Sequence, residues 1–295
     1  MDETRKISKI IFDSSKLPIL LGAIFGYFIG GGFVSYLGKN IDWAVFCLGL
    51  GIVLLFLLCS EYVSAIFYWK QPTGSGEVKD RLLVKNIFLQ LGLSVLCVGA
   101  VITFFLFFLV TEKLGVWVFL ALFFVLNIVS VIPPLDLRNR GYGDLLSAVN
   151  LAILAPAFAG SLQLDEIHHS LLMITFPGFF LVVAMFMALS LEKYGSTAVG
   201  QKPSLMTAMG WKSGMYFHNL FLLLTYFSYA ITAILGLPFR LLLPAIVAFP
   251  FSVLQFWEMS RIGSGEKPRW KFLRLCAISS IGILVYFLLF NLWLE

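Results

Sequence analysis

Nine apolar runs, each long enough to cross a bilayer, fill nearly all of this 295-residue chain. A transmembrane helix needs about 20 mostly apolar residues to cover the hydrocarbon layer. The runs lie at 17–37, 43–67, 87–110, 114–132, 144–162, 170–191, 211–235, 240–259 and 272–294. Barrel strands would alternate apolar and polar residues, and stretches such as 101–109, Val-Ile-Thr-Phe-Phe-Leu-Phe-Phe-Leu, do not. In hydrocarbon the backbone must pair its own polar groups, so the runs are predicted to be helices. The expected fold is an all-α membrane protein of nine transmembrane helices, one polytopic domain over 1–295. A 60% hydrophobic and 13% charged composition agrees with this and excludes a soluble domain of the same length.

The charge is placed on one side. Of the 21 Lys and Arg residues, all but Lys39, Lys113 and Arg240 fall in or beside the segments 1–16, 69–86, 133–143, 192–210 and 260–271. These alternate with short, nearly uncharged loops. By the positive-inside rule they face the cytoplasm, with the N-terminus inside and, after nine spans, Glu295 outside. The net charge of +5 is thereby explained by topology, and no nucleic-acid partner is expected. The charged first 16 residues and the long first apolar run predict no cleavable signal peptide. The default placement is a bacterial inner membrane. Cys47, Cys59, Cys97 and Cys276 stand singly within spans and read as small packing residues.

Against this background, isolated carboxylates stand out, because a charge at the bilayer margin is costly unless it is compensated. Spans 2 and 6 end in related clusters, Ser60-Glu61-Tyr62-Val63-Ser64 and Glu192-Lys193-Tyr194-Gly195-Ser196. Both clusters lie at the predicted cytoplasmic end and are followed by cations, namely Lys79, Arg81 and Lys85 after the first and Lys202 after the second. A third cytoplasmic cluster, with Arg138, Arg140 and Asp144, follows span 4. Asp144 would also favour the start of span 5 through the helix dipole. Each of these residues has a plain alternative, as a helix-end charge reaching water or lipid headgroups. Gly22, Gly26 and Gly30 form a small-residue face for close helix packing. His168 and His169 belong to an outer loop, His218 reads as a packed histidine, and 265–271 reads as an interfacial anchor.

A cationic mouth above a Phe-rich interior suits an amphiphile with a phosphorylated head. The sequence Ile132-Pro133-Pro134-Leu135-Asp136-Leu137-Arg138-Asn139-Arg140-Gly141-Tyr142-Gly143-Asp144-Leu145 resembles the P-P-x-x-L-x-x-R-G-x-G-E-L stretch of the UbiA superfamily of intramembrane prenyltransferases. Ala198-Val199-Gly200-Gln201-Lys202-Pro203-Ser204-Leu205 is similar to that family's A-A-G-K-x-T-L. The resemblance implies a UbiA-like helical bundle with a cytoplasmic-facing cavity. It also implies transfer of a prenyl group from a prenyl diphosphate to a lipophilic or aromatic acceptor, amid membrane lipid.

The family's aspartate motifs are degenerate here. Where members carry N-D-x-x-D-x-x-x-D, this chain has Ser60, Glu61, Ser64 and Tyr68. Where they carry D-x-x-x-D, it has Glu192 and Ser196. The resemblance assigns Glu61 and Glu192 as catalytic residues and as ligands of any Mg²⁺. It assigns Ser60, Ser64, Tyr68, Arg81, Arg138, Arg140, Asp144, Lys193, Ser196 and Lys202 to the substrate. Only one carboxylate survives in each motif, so a two-metal site is not expected. Two rival readings are a non-catalytic homologue that binds a lipid or a partner enzyme, and a small transporter. A transporter would use interior polar groups such as Asn127, Asn150 and Asn219, with breaks at Pro156, Pro177, Pro244 and Pro250.

Overall fold

A computed structural model describes residues 16–68, 78–110, 114–164, 168–194 and 203–294, without the side chains of 78–81 and 193. All nine apolar runs are helical. In chain order the helices are α1 (Leu17–Tyr36), α2 (Trp43–Tyr68), α3 (Val78–Leu109), α4 (Leu114–Val129), α5 (Arg138–Gln163), α6 (His169–Tyr194), the short α7 (Leu205–Met209), α8 (Trp211–Ile234), α9 (Phe239–Gly263) and α10 (Trp270–Trp293). Of the nine that carry the apolar runs, eight are long and apolar enough to cross a membrane. The exception is α4, whose 16 residues rise only about 24 Å at 1.5 Å per residue. Its expected extension to 132 is lost because the chain turns at Ser130 to approach Pro133, and the Arg138 N–H closes that turn on the Ser130 carbonyl at 3.0 Å. The expected loops are also shorter than predicted. Helix α3 begins at 78 and α5 at 138, inside segments read as loops from their charge.

Helix α1 is the hub. It packs on α2, α5 and α10, and its glycines are placed for those three neighbours. A Cβ at Gly26 or Gly30 would run into the carbonyl oxygens of Leu151 or Pro156 on α5. A Cβ at Gly31 would meet the Phe46 ring on α2, and one at Gly32 the Trp293 indole on α10. The small-residue face expected over 22, 26 and 30 is thus a packing face. Polar bonds fasten the same contacts. The buried Tyr27 hydroxyl donates to the Phe46 carbonyl at 2.8 Å, and Trp293 Nε1 donates to the Phe28 carbonyl at 2.9 Å.

Helix α5 is irregular at two places, with π-type turns at Arg138–Tyr142 and Asn150–Leu154. The second lies just ahead of Pro156. Proline has no N–H to give and its ring crowds the carbonyl four residues back, so the ladder widens there. Ala155 N–H accordingly reaches back to the Asn150 carbonyl. Pro177, Pro244 and Pro250 lie inside continuous helices, so the breaks considered for a transporter do not form at them.

Candidate functional site

Glu61 sits in the last two turns of α2 and is only 5% exposed. Helix α2 is apolar on every face, so its carboxylate cannot turn to water and needs partners within the protein. It has two. Arg138 Nη1 lies 2.8 Å from Oε1, and Lys16 Nζ lies 3.1 Å from Oε2. Lys16 stands immediately before α1, and Arg138 opens α5. One carboxylate therefore ties the ends of three helices together. Arg138 is itself buried, and its Nη1 has no well-aligned hydrogen-bond acceptor despite the short ion pair.

The residues around this trio fall into two groups. Ser60 is buried but turned onto its own helix, donating to the Leu57 carbonyl at 2.8 Å. Ser64, one turn beyond Glu61, is 1% exposed and its hydroxyl has no partner among the described residues. Deeper in, Asn127 on α4 accepts a bond of 3.1 Å from Asn150 Nδ2 at the second π-type turn of α5, and Asn150 Oδ1 is buried without a partner. This end of the bundle thus keeps several polar atoms away from water with capacity to spare, which is unusual in folded proteins.

Tyr68, expected to meet substrate, donates to Asp136. Asn139 Nδ2 donates to both oxygens of the same carboxylate, at 3.0 and 3.1 Å. Arg140 is exposed and donates to the Pro134 carbonyl at 2.9 Å, holding the 134–140 turn. The R-G-x-G part of the motif has a structural reason. Gly141 has φ 98°, and a Cβ on it would lie 2.8 Å from the Ser204 carbonyl and 2.7 Å from the Ala208 methyl. Only glycine lets this turn seat α7.

Asp144 completes that seat. Its Oδ2 accepts the Leu205 N–H at 3.1 Å and the Ser190 hydroxyl at 3.4 Å, joining α5, α6 and α7. Asp144→Ala removes a charged acceptor from the start of α7. Amide exchange over Leu205–Met209 should then speed up by about tenfold or more, as read by hydrogen–deuterium exchange.

Glu192 is placed differently from Glu61. It is paired with Arg274, in the second turn of α10, and is partly open to solvent. The two carboxylates share no cation partner among the described residues. The Ser190–Asp144 bond and the turn from Arg138 to Asp144 connect their neighbourhoods. Arg81 and Lys193 lie in helices whose side chains here are outside the description, and Ser196 and Lys202 lie outside the described residues altogether.

Three participants were missed from the sequence. Lys16 was counted only as a topology charge. Arg274 was counted only among the cytoplasmic charges beside 260–271. Glu258, at the charged end of α9, is fully buried, and the criterion that singled out Glu61 would have found it. Its Oε1 accepts from Arg261 Nη2 and from the Arg269 N–H, both at 2.9 Å. Those bonds close the turn from α9 to α10. Beneath it, Gln255 Nε2 lies 2.7 Å from His218 Nε2, and His218 Nδ1 lies 2.9 Å from Asn219 Oδ1. His218 is therefore the hydrogen-bonded, packed histidine expected.

Mg²⁺, expected from the resemblance, does not fit these two carboxylates as they stand. It takes one or two carboxylates with phosphate and water oxygens in a strict octahedron. Both oxygens of Glu61 already face cations, so a divalent ion would sit beside two positive charges. Glu192 faces a third. Among the described residues no three His, Cys, Asp or Glu side chains gather as a ligand set.

One cleft of about 300 Å³ lies between α8 and α9, lined by Tyr226, Tyr229, Leu242, Phe249 and small residues. It belongs to the half of the bundle away from the ion pairs.

The fold has a known counterpart. A solved structure of digeranylgeranylglyceryl phosphate synthase in membranes superposes on this chain with a TM-score of 0.63, covering 100% of both chains at 14% identity. The two share a fold. No protein-family model matches the chain, and no curated protein matches it. This fold, together with the eight long apolar helices, makes the chain an integral multi-pass membrane protein.

Proposed function

We propose that the chain is a UbiA-like intramembrane prenyltransferase, moving a prenyl group from a prenyl diphosphate to a lipophilic or aromatic acceptor. The observation that carries this is the Lys16–Glu61–Arg138 set, with Glu61 and Arg138 buried, at one end of a bundle with a prenyltransferase-like fold. Arg138, buried and with Nη1 not satisfied in its hydrogen bonding beside Glu61, would favour a phosphorylated headgroup. The charged end would face the cytoplasm. Arg81, Lys193 and Lys202 would add to its positive field, and the prenyl tail would lie among the apolar helices.

In this reading the bond between the prenyl C1 and the bridging oxygen breaks, and the electron pair leaves with the diphosphate. The acceptor then forms a new bond to C1 and gives up a proton. The role of the cations is to hold the departing anion.

A second reading has its own support. Both motif carboxylates are engaged by cations, which suits a homologue that binds an isoprenoid lipid or a partner enzyme without catalysis. Incubating the purified protein with a radiolabelled prenyl diphosphate and a panel of quinone precursors, phenols and glyceryl phosphates separates the two. Release of diphosphate with a labelled, extractable product is expected. Tight binding without turnover across the panel would favour the non-catalytic homologue.

A further inference from the structure

We infer that Arg138 and Lys16 form a phosphate-binding site that works without a divalent metal, with Glu61 as the positioning residue that holds the two cations together. The inference rests on the prenyl-diphosphate reading and adds how the diphosphate is held.

The geometry points this way at each partner. Glu61 uses one oxygen for each cation, at 2.8 and 3.1 Å, and so fixes both from one point. A guanidinium carries five N–H donors and an ammonium three. The contact to Glu61 leaves other donors of the Arg138 guanidinium for a second anion. Arg138 Nη1 is buried and not satisfied in its hydrogen bonding even with Glu61 beside it. A phosphate oxygen could supply the aligned acceptor. Ser64 is on the same side of α2 as Glu61, three residues on, and its buried hydroxyl is a further donor without a partner among the described residues.

The backbone holds this arrangement in place. Arg138 N–H is bonded to the Ser130 carbonyl at 3.0 Å, and Gly143 leaves room for the arginine stem, since a Cβ there would lie 3.0 Å from Arg138 Cγ. In a metal-centred site carboxylates bind the ion and the ion binds phosphate. Here the carboxylate binds cationic side chains, and these take the ion's place. The single surviving carboxylate in the first motif is then sufficient, because it has two side chains to orient and no ion to ligate.

The test is equilibrium binding of radiolabelled geranylgeranyl diphosphate to the full chain in nanodiscs, in EDTA and in Mg²⁺. Size-exclusion profile and Tm would be recorded for every variant. Wild type should bind in EDTA within about threefold of its affinity in Mg²⁺. Glu61→Gln should weaken EDTA binding by about tenfold without abolishing it, since the amide oxygen can hold only one of the two cations in place. Arg138→Ala and Lys16→Ala should each weaken it by about tenfold or more, the loss of a charge-assisted bond. Arg138→Lys should recover part of the loss, which guards against an alanine variant that fails to fold. Binding that requires Mg²⁺ and vanishes in Glu61→Gln would overturn the inference while leaving the prenyl-diphosphate reading intact. Folded Arg138→Ala and Lys16→Ala proteins that bind like wild type in EDTA would overturn it too. No binding by wild type in either buffer would remove the prenyl-diphosphate reading and the inference with it.

Discussion

Gly30→Leu is expected to prevent folding, leaving no monodisperse species on detergent gel filtration. The reason is backbone against backbone. A Cβ at Gly30 would run into the Pro156 carbonyl oxygen and lie 2.8 Å from the Ala159 methyl. Neither neighbour can swing aside as a long side chain would, so α1 and α5 would have to separate. Overpacking commonly costs about 1–3 kcal/mol where side chains can adjust, and more where they cannot. Separation here would also pull α1 away from α2 and α10, because α1 touches all three. The Tyr27–Phe46 and Trp293–Phe28 bonds would go with it. Gly282→Ala is the matched control. A Cβ at Gly282, within α10, meets nothing within 4 Å. There alanine should be neutral or raise stability by up to about 1 kcal/mol through helix propensity. Equal Tm losses in the two variants would show that glycine packing is not what joins α1 to α5.

That glycine face was legible in the sequence, and so were the nine helices, because both are carried by local pattern. Runs of apolar residues set helix existence, and glycines four apart set a face. The end of α4 was not legible. The apolar run continues to Ile132, but the Ser130–Arg138 backbone bond that ends the helix joins residues eight apart. The site shows the same division. Glu61 could be singled out because a carboxylate in apolar surroundings is anomalous by itself. Its pairing could not, since Lys16 looks like any charge obeying the positive-inside rule and Arg138, named by the motif, comes beside Glu61 only where three helix ends meet. Tyr68 makes a contact of the same long-range kind, since the fold brings Asp136 within reach of its hydroxyl. Glu258 is the residue that pattern alone could have supplied, since it is an acidic side chain at the same end of an even-numbered span.

Arg138→Met should lower stability by about 3 kcal/mol, toward the lower part of the range seen when one partner of a buried ion pair is removed. The lower end applies because Glu61 would keep Lys16, and Lys16 is partly open to solvent, which weakens what it can supply. The double variant Glu61→Leu with Arg138→Met should recover most of that loss, to within about 1–2 kcal/mol of wild type. Two apolar side chains then occupy the space without an uncompensated charge, and Lys16, 31% exposed, can turn to water. Chemical denaturation in mixed micelles across the full double-mutant cycle would measure this coupling. The stability result separates structure from function. A pair kept only to fix α2 against α5 would be replaceable by a well-packed apolar pair without functional loss. If the pair serves an anion, the double variant will fold as well as wild type and still fail to retain a prenyl diphosphate in EDTA. Recovery of stability without recovery of binding is therefore the expected signature, and a double variant that recovers both would assign Arg138 to packing alone.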